Sequence, residues 1–175
     1  VFVGAHLGNW EMIPYFLGLA GFPAGFVARP IQYPRLDRLL RDLREISGSR
    51  VIDKSGAIEQ CFHLLQTGGS VALLLDQDAG SHGTYLDFLG HPASTTITGA
   101  LLARKTDTPL VTLALIRTGP FRYRMILNPP FQVPAGDDTR EMLRQATRRL
   151  NRELGEMVRA HPDQWIWMHR RWRLR

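Results

Sequence analysis

Val1-Phe2-Val3-Gly4-Ala5-His6-Leu7-Gly8-Asn9-Trp10-Glu11 opens the chain and decides how the rest is read. An apolar run suited to a buried strand ends at a histidine, and a carboxylate follows five residues later. A strand that stops at a histidine-bearing turn puts an acid–base group at a sheet edge, where open α/β folds bind their ligands. His6 can take up a proton near neutrality, and Glu11 is the candidate to orient and charge-stabilise it. On a regular helix, residues five apart lie about 140° around the axis and do not face each other. The pair therefore works with His6 in the turn and Glu11 in the first helical turn.

Downstream of this stretch, strand and helix signals alternate. The pattern predicts strands at 1–5, 25–28, 50–52, 71–75, 110–116 and 122–127, with a short one at 85–88. It predicts helices at 11–20, 34–47, 55–67, 98–105 and 138–160. Ser55 is read as the cap of the third helix and Gly68-Gly69 as its end. Leu36, Leu39, Leu40, Leu43 and Ile46 form one apolar stripe on the second helix. Leu143, Thr147, Leu150, Leu154 and Val158 form the inward face of the last. Such alternation implies an α/β layered sandwich with a mostly parallel central sheet flanked by helices. The last two strands add an antiparallel pair through Gly119-Pro120. A length of 175 residues suits one domain over 1–175.

The chain starts at Val1 rather than Met and inside an apolar run, so N-terminal residues, a membrane anchor among them, are expected upstream. Its longest uncharged stretch, Met12 to Ala28, is broken by Pro14, Pro23 and glycines, and does not read as a membrane span. One cysteine, Cys61, excludes an internal disulfide and a cysteine-based metal site. The net charge is +6, and it is unevenly placed. Residues 1–139 hold 12 basic and 12 acidic residues, whereas residues 140–175 hold 10 arginines and 4 acids. A basic C-terminal portion suggests an anionic partner, whether membrane phosphate, an acidic carrier protein or nucleic acid.

The pattern of a histidine with an acid five residues later is weak by itself, with about 0.5 matches expected by chance in a chain of this composition. It occurs twice, at His6/Glu11 and His82/Asp87. The second pair lies in a Gly/Ser loop and reads as surface. A second constellation, Leu73-Leu74-Leu75-Asp76-Gln77-Asp78-Ala79-Gly80, ends an apolar strand on two acids. Asp76 and Asp78 fit either a divalent cation on a nucleotide diphosphate or hydrogen bonds that brace the loop around an acceptor. Capping of the loop is the plain alternative. Arg29, Arg35, Arg38, Arg41 and Arg44 form a third set, from which Arg29, Arg41 and Arg44 suit a phosphate clamp. The fourth is Trp165-Ile166-Trp167-Met168-His169-Arg170-Arg171-Trp172-Arg173. It suits nucleic-acid stacking, a membrane interface, or a final strand whose tryptophans pack inward.

Taken in order, these segments resemble the late acyltransferases of lipid A biosynthesis, the lauroyl/myristoyl acyltransferase family related to the glycerolipid acyltransferases. The carriers are Gly4 to Glu11; Ala28-Arg29-Pro30 with Asp37 and Arg44; Asp76 to Gly80; Asp87-Phe88-Leu89-Gly90-His91-Pro92-Ala93-Ser94-Thr95; and Pro162-Asp163-Gln164-Trp165 with His169-Arg170-Arg171-Trp172. The resemblance covers nearly the whole chain. It implies an acyltransferase-like fold and transfer of a fatty acyl chain from a thioester to a hydroxyl of a lipid A precursor or related glycolipid. His6 would be the general base and Glu11 its orienting partner. Arg29 and Arg44 would bind phosphate or oxyanion, and Asp76 and Asp78 would belong to the substrate-binding set.

No metal or cofactor is implied, because a thioester is already activated, and Ser94 has no evident base to make it a nucleophile. The implied partners are acyl carrier protein or acyl-CoA as donor, a lipid acceptor and a membrane surface, with no nucleic acid. The implied location is the cytoplasmic face of a bacterial inner membrane. The rival readings are a metal-dependent nucleotide-sugar glycosyltransferase built on Asp76/Asp78 and a nucleic-acid module built on the Arg/Trp tail.

Overall fold

The computed structural model describes residues 1–134, 136 and 138–173. Eight strands are described: β1 Phe2–Gly4, β2 Ala24–Ala28, β3 Arg50–Asp53, β4 Ser70–Leu74, β5 Thr84–Phe88, β6 His91–Thr95, β7 Val111–Gly119 and β8 Arg122–Leu127. The helices are α1 Ile13–Leu19, α2 Pro34–Glu45, α3 Ala57–Gln66, α4 Thr98–Thr106 and α5 Thr139–Ala160. Six strands form one sheet in the order β3-β2-β4-β1-β7-β8. Its neighbours run parallel except β7 and β8, which are antiparallel.

β1 sits between β4 and β7 and is buried from both sides, which explains its unbroken apolar sequence. Side chains alternate across it. Val1, Val3 and Ala5 join the larger core beneath α3, α4 and α5, while Phe2 faces the smaller core under Ile13 and Leu17 of α1. The connection out of β1 therefore leaves on one face of the sheet and reaches β2. The connection out of β4 leaves on the other face and reaches β7 by way of α4. Adjacent parallel strands whose connections part in this way open a crevice at their C-terminal ends.

α5 begins at an Asp138 carboxylate that accepts from the Glu141 N–H at 3.1 Å, and its predicted inward stripe is buried. Buried Asn151 ties it to the β5–β6 hairpin, donating to the Asp87 carbonyl at 2.9 Å and the Thr95 hydroxyl at 3.1 Å.

Several local expectations are corrected. Ser55 does not cap α3: Gly56 occupies the cap position with φ +67°, and no side chain bonds there. The stretch read as loop after 88 carries a second strand, β6, joined to β5 by Leu89 and Gly90 with φ +58° and +90°. Pro92 hides β6 from pattern reading, but it lies on a two-stranded hairpin, where each strand has one edge that needs no partner. The leucine stripe of α2 does not enter the core. Leu36, Leu39, Leu43 and Ile46 are exposed, and the helix is held from its polar side. There, Asp37 accepts from the Ile31 N–H at 2.8 Å, Arg41 bonds Asp37 and Asp53, and Arg44 bonds Glu11. The Trp-rich end is not a strand, although Trp165 is buried and Trp172 packs on the core as an inward reading required. Trp167 and Met168 are exposed. Among the described residues no helix is long and apolar enough to cross a membrane.

Candidate active site

The register pairs Gly4 of β1 with Leu74 of β4, so the residues two steps beyond each, His6 and Asp76, emerge side by side at the crevice. His6 Nδ1 lies 2.8 Å from Asp76 Oδ1. Asp76 Oδ2 accepts from the His6 backbone N–H at 2.9 Å and from Trp165 Nε1–H at 2.8 Å. The Asp76 side chain is 3% exposed and that of His6 20%, so the acid is sealed behind the base.

Burial alone would push the Asp76 carboxyl up. The hydrogen bond and charge of His6, with the Trp165 indole and the His6 N–H, more than offset this and hold it below the usual carboxylate range. An ionised acceptor at Nδ1 fixes the tautomer: the proton sits on Nδ1 and Nε2 is left as the base. Nε2 points outward, 3.3 Å from the Gln77 side-chain nitrogen, with the Trp10 ring edge-on to the imidazole at 5.4 Å between centroids.

Glu11 does not orient His6. Its Oε2 accepts two bonds from Arg44, from Nε at 2.9 Å and Nη2 at 2.6 Å. The physical reason lies in the backbone. Residues 6–9 form an irregular turn before the short 3-10 turn Trp10–Met12, which carries Glu11 toward α2 while Asp76 reaches His6 from the neighbouring strand. The turn is rigid. Gly8 has φ +63°, and a Cβ there would fall 2.1 Å from the Leu115 carbonyl oxygen. The Gly8 N–H donates to the Gln164 carbonyl at 2.9 Å, and the Ile166 N–H donates to the His6 carbonyl at 3.1 Å.

A cavity of about 590 Å³ opens at this point. Its polar mouth includes His6, Glu11, Arg29, Arg44, Lys54 and Gln77, and its apolar walls run along both faces of the sheet edge. On the α1 side they include Phe2, Phe26, Ala72, Leu74 and Leu113; on the α3 side, Val27, Ala57, Cys61 and Leu102. Gly4 keeps the floor low, since a Cβ there would meet Leu74 Cδ2 at 3.1 Å. Leu74 is more than a third exposed although it belongs to a central strand, and the space it faces is this cavity. Burial raises the Cys61 thiol to about 11, which makes it an inert part of the wall.

The predicted residues thus divide. His6, Glu11, Arg29 and Arg44 share the cavity, whereas Asp76 stands behind His6. Asp78 faces elsewhere: its Oδ1 accepts from the Gly80 N–H at 3.1 Å and its own N–H donates to His169 Nε2 at 2.8 Å. Asp76 and Asp78 do not fit a divalent cation, because both Asp76 oxygens are taken by protein donors. No cluster of three or more His, Cys, Asp or Glu able to hold a metal occurs among the described residues. Gln77 and Trp165 were missed as site residues. Gln77 stands inside the quoted acidic motif, and Trp165 inside both the Pro162–Trp165 motif and the aromatic tail, without a site role in either.

A profile described as bacterial lipid A biosynthesis acyltransferase matches residues 1–174. The chain belongs to the bacterial lipid A biosynthesis acyltransferases. The chain is similar to the phosphatidylinositol mannoside acyltransferases of Mycobacterium tuberculosis strains CDC 1551 / Oshkosh and ATCC 25618 / H37Rv. Each is 27% identical over 172 residues, which cover 95% of this chain and 52% of the relative. The chain therefore spans about half the length of the curated relatives it matches.

Proposed function

We propose that this chain carries the reaction centre of an acyltransferase that moves a fatty acyl group from a thioester to a hydroxyl of a lipid A precursor or related glycolipid. The observation that carries this reading is the His6–Asp76 pair at the mouth of a largely apolar cavity. The acyl chain lies along the apolar wall, and its thioester carbonyl comes to rest beside His6 Nε2. The acceptor hydroxyl gives its proton to Nε2 as its oxygen attacks the carbonyl carbon. Asp76 holds the ring in the productive tautomer and stabilises the imidazolium that forms. The tetrahedral oxyanion collapses by breaking the C–S bond, and the departing thiolate takes the proton back from His6. Charge and atoms balance, with no covalent enzyme intermediate.

Arg44, held by Glu11, and Arg29 supply positive charge at the mouth for the oxyanion or for phosphate on either substrate. Lys54 adds a third cation there. Carrier-protein and CoA thioesters both bring phosphate to that mouth, and the family supports a lipid acceptor without naming it. The name of the mycobacterial relatives makes a mannosylated phosphatidylinositol a second acceptor to test. On this reading the protein works at the cytoplasmic face of an inner membrane, where thioester donors meet lipid acceptors.

The test uses the full-length protein in detergent, with acyl carrier protein and CoA thioesters offered against a lipid A precursor and a phosphatidylinositol mannoside. The expected result is acyl transfer that is lost in His6→Ala and unchanged by EDTA. Full activity in a folded His6→Ala protein would refute the mechanism. EDTA-sensitive sugar transfer would restore the glycosyltransferase reading.

A further inference from the structure

The segment after α5 returns across the sheet edge and bonds the loop that follows β4 at one residue after another. Trp165 Nε1–H donates to Asp76 Oδ2 at 2.8 Å. His169 Nε2 accepts from the Asp78 N–H at 2.8 Å. Arg171 Nη1 donates to the Gln77 carbonyl at 3.0 Å and also to the Ser94 carbonyl, while Nη2 donates to the Thr95 hydroxyl at 2.6 Å. Gln164 and Ile166 bond the other side of the site, at Gly8 and His6. One segment of eight residues, 164–171, therefore fixes both partners of the pair, which stand 70 residues apart in the chain.

None of these tail side chains lines the cavity, so none touches substrate. Arg171 is fully buried, with its guanidinium 5.1 Å from the Phe88 ring centroid and its Nε without a hydrogen-bond partner. Desolvation lowers it to about 10, so it stays charged at neutral pH, and Asp76 and Asp78 are the acids whose fields oppose that loss. Burying a full charge to bind two carbonyls and a hydroxyl is an expensive way to hold a loop that only needs to be covered. It is a sound way to hold one whose position is set to a fraction of an ångström. Trp165 completes the arrangement. With two donors on Oδ2, the Asp76 carboxylate cannot rotate, and Oδ1 is presented to His6 Nδ1.

Resting on the acyltransferase reading above, we propose that residues 164–171 form a positioning strap. Trp165, His169 and Arg171 hold the Asp76–Asp78 loop in register with His6 and tune the base without contacting either substrate.

The test again uses the full-length protein in detergent. Trp165→Phe keeps an aromatic ring against Phe88, Trp167 and Trp172 but removes the donor to Asp76. The less-stabilised carboxylate then holds the proton on His6 more firmly. The expected result is about a tenfold fall in kcat, unchanged KM for donor and acceptor, and an acid limb of the kcat/KM profile moved to higher pH. His169→Gln, which can still accept from the Asp78 N–H, is expected to keep most activity that His169→Leu loses at equal folded fraction. A wild-type pH profile in Trp165→Phe, or equal loss in the two His169 variants, would overturn the strap. His6→Ala run alongside separates the two ideas. Activity in His6→Ala overturns both, whereas an inactive His6→Ala beside a wild-type Trp165→Phe profile overturns the strap alone.

Discussion

Asp76→Asn is the most discriminating single change, because the hydrogen bonds dictate which way the new amide must face. Oδ2 receives two donors, the His6 N–H and the Trp165 indole, and Oδ1 faces His6 Nδ1. An amide placed here sets its oxygen toward the two donors and its NH2 toward Nδ1. Nδ1 then becomes an acceptor, the ring proton moves to Nε2, and the imidazole is no longer a base on the side that faces the cavity. Recovering the productive tautomer requires flipping the amide, which strands two buried donors at about 1–3 kcal/mol each. A middle value of ~4 kcal/mol corresponds to about a thousandfold. Loss of the negative charge behind the imidazolium adds to this, so kcat is expected to fall ~10³–10⁴-fold, near the ~10⁴ known for the same exchange in Ser-His-Asp enzymes. KM should hardly move, since Asp76 is shielded from the cavity by His6. The assay is thiol release from an acyl-CoA donor by the detergent-solubilised full-length protein, with the His6 tautomer read by ¹⁵N NMR. A folded Asp76→Asn protein within tenfold of wild type, or one that keeps its ring proton on Nδ1, would refute the reasoning.

Glu11→Gln is expected to lower activity about ten- to a hundredfold by loosening Arg44 while leaving the acid limb of the pH profile in place. A shifted limb would return Glu11 to the role of His6's partner. Gly8→Ala forces a left-handed residue at ~1–2 kcal/mol and drives a Cβ into the β7 backbone, so urea denaturation should register a loss of about 3 kcal/mol or more. An unchanged midpoint would contradict the geometry of the turn. Asp76 also predicts an acid-sensitive fold. Its carboxyl is held below its unfolded value, so the stability it adds is complete above about pH 4–5 and is lost as the pH falls through the folded-state value. Urea midpoints from pH 7 to pH 3 should therefore fall less steeply in Asp76→Asn than in wild type.

The parts of the fold legible in the sequence were those whose information is local. β1 and β4 are apolar runs buried on both faces, α5 has a clean stripe behind an Asp138 cap, and their alternation gives a parallel sheet with its binding edge at His6. The α2 stripe is equally legible, but which face of that helix meets the body is not local information. The leucines face out, and the charges of Asp37, Arg41 and Arg44 grip the body, a choice made by Glu11, Asp53 and the Ile31 N–H elsewhere in the chain. The site was misread for a related reason. Glu11 is close to His6 in sequence, and a motif-sized window rewards that closeness. The acid that bonds the ring stands 70 residues away and reaches it only because β1 and β4 are neighbours in register.

Both acids were visible as candidates, so what the sequence lacked was the pairing. Strand order supplies it: with β4 beside β1 and their connections leaving on opposite faces, the first polar residue after each strand must meet across the crevice. The same reasoning accounts for Glu11. Once Asp76 has taken Nδ1, a second carboxylate at the mouth is available to hold Arg44 over the cavity. On the proposed mechanism, the histidine-to-glutamate spacing sets the distance from the base to the cation that lines the cavity.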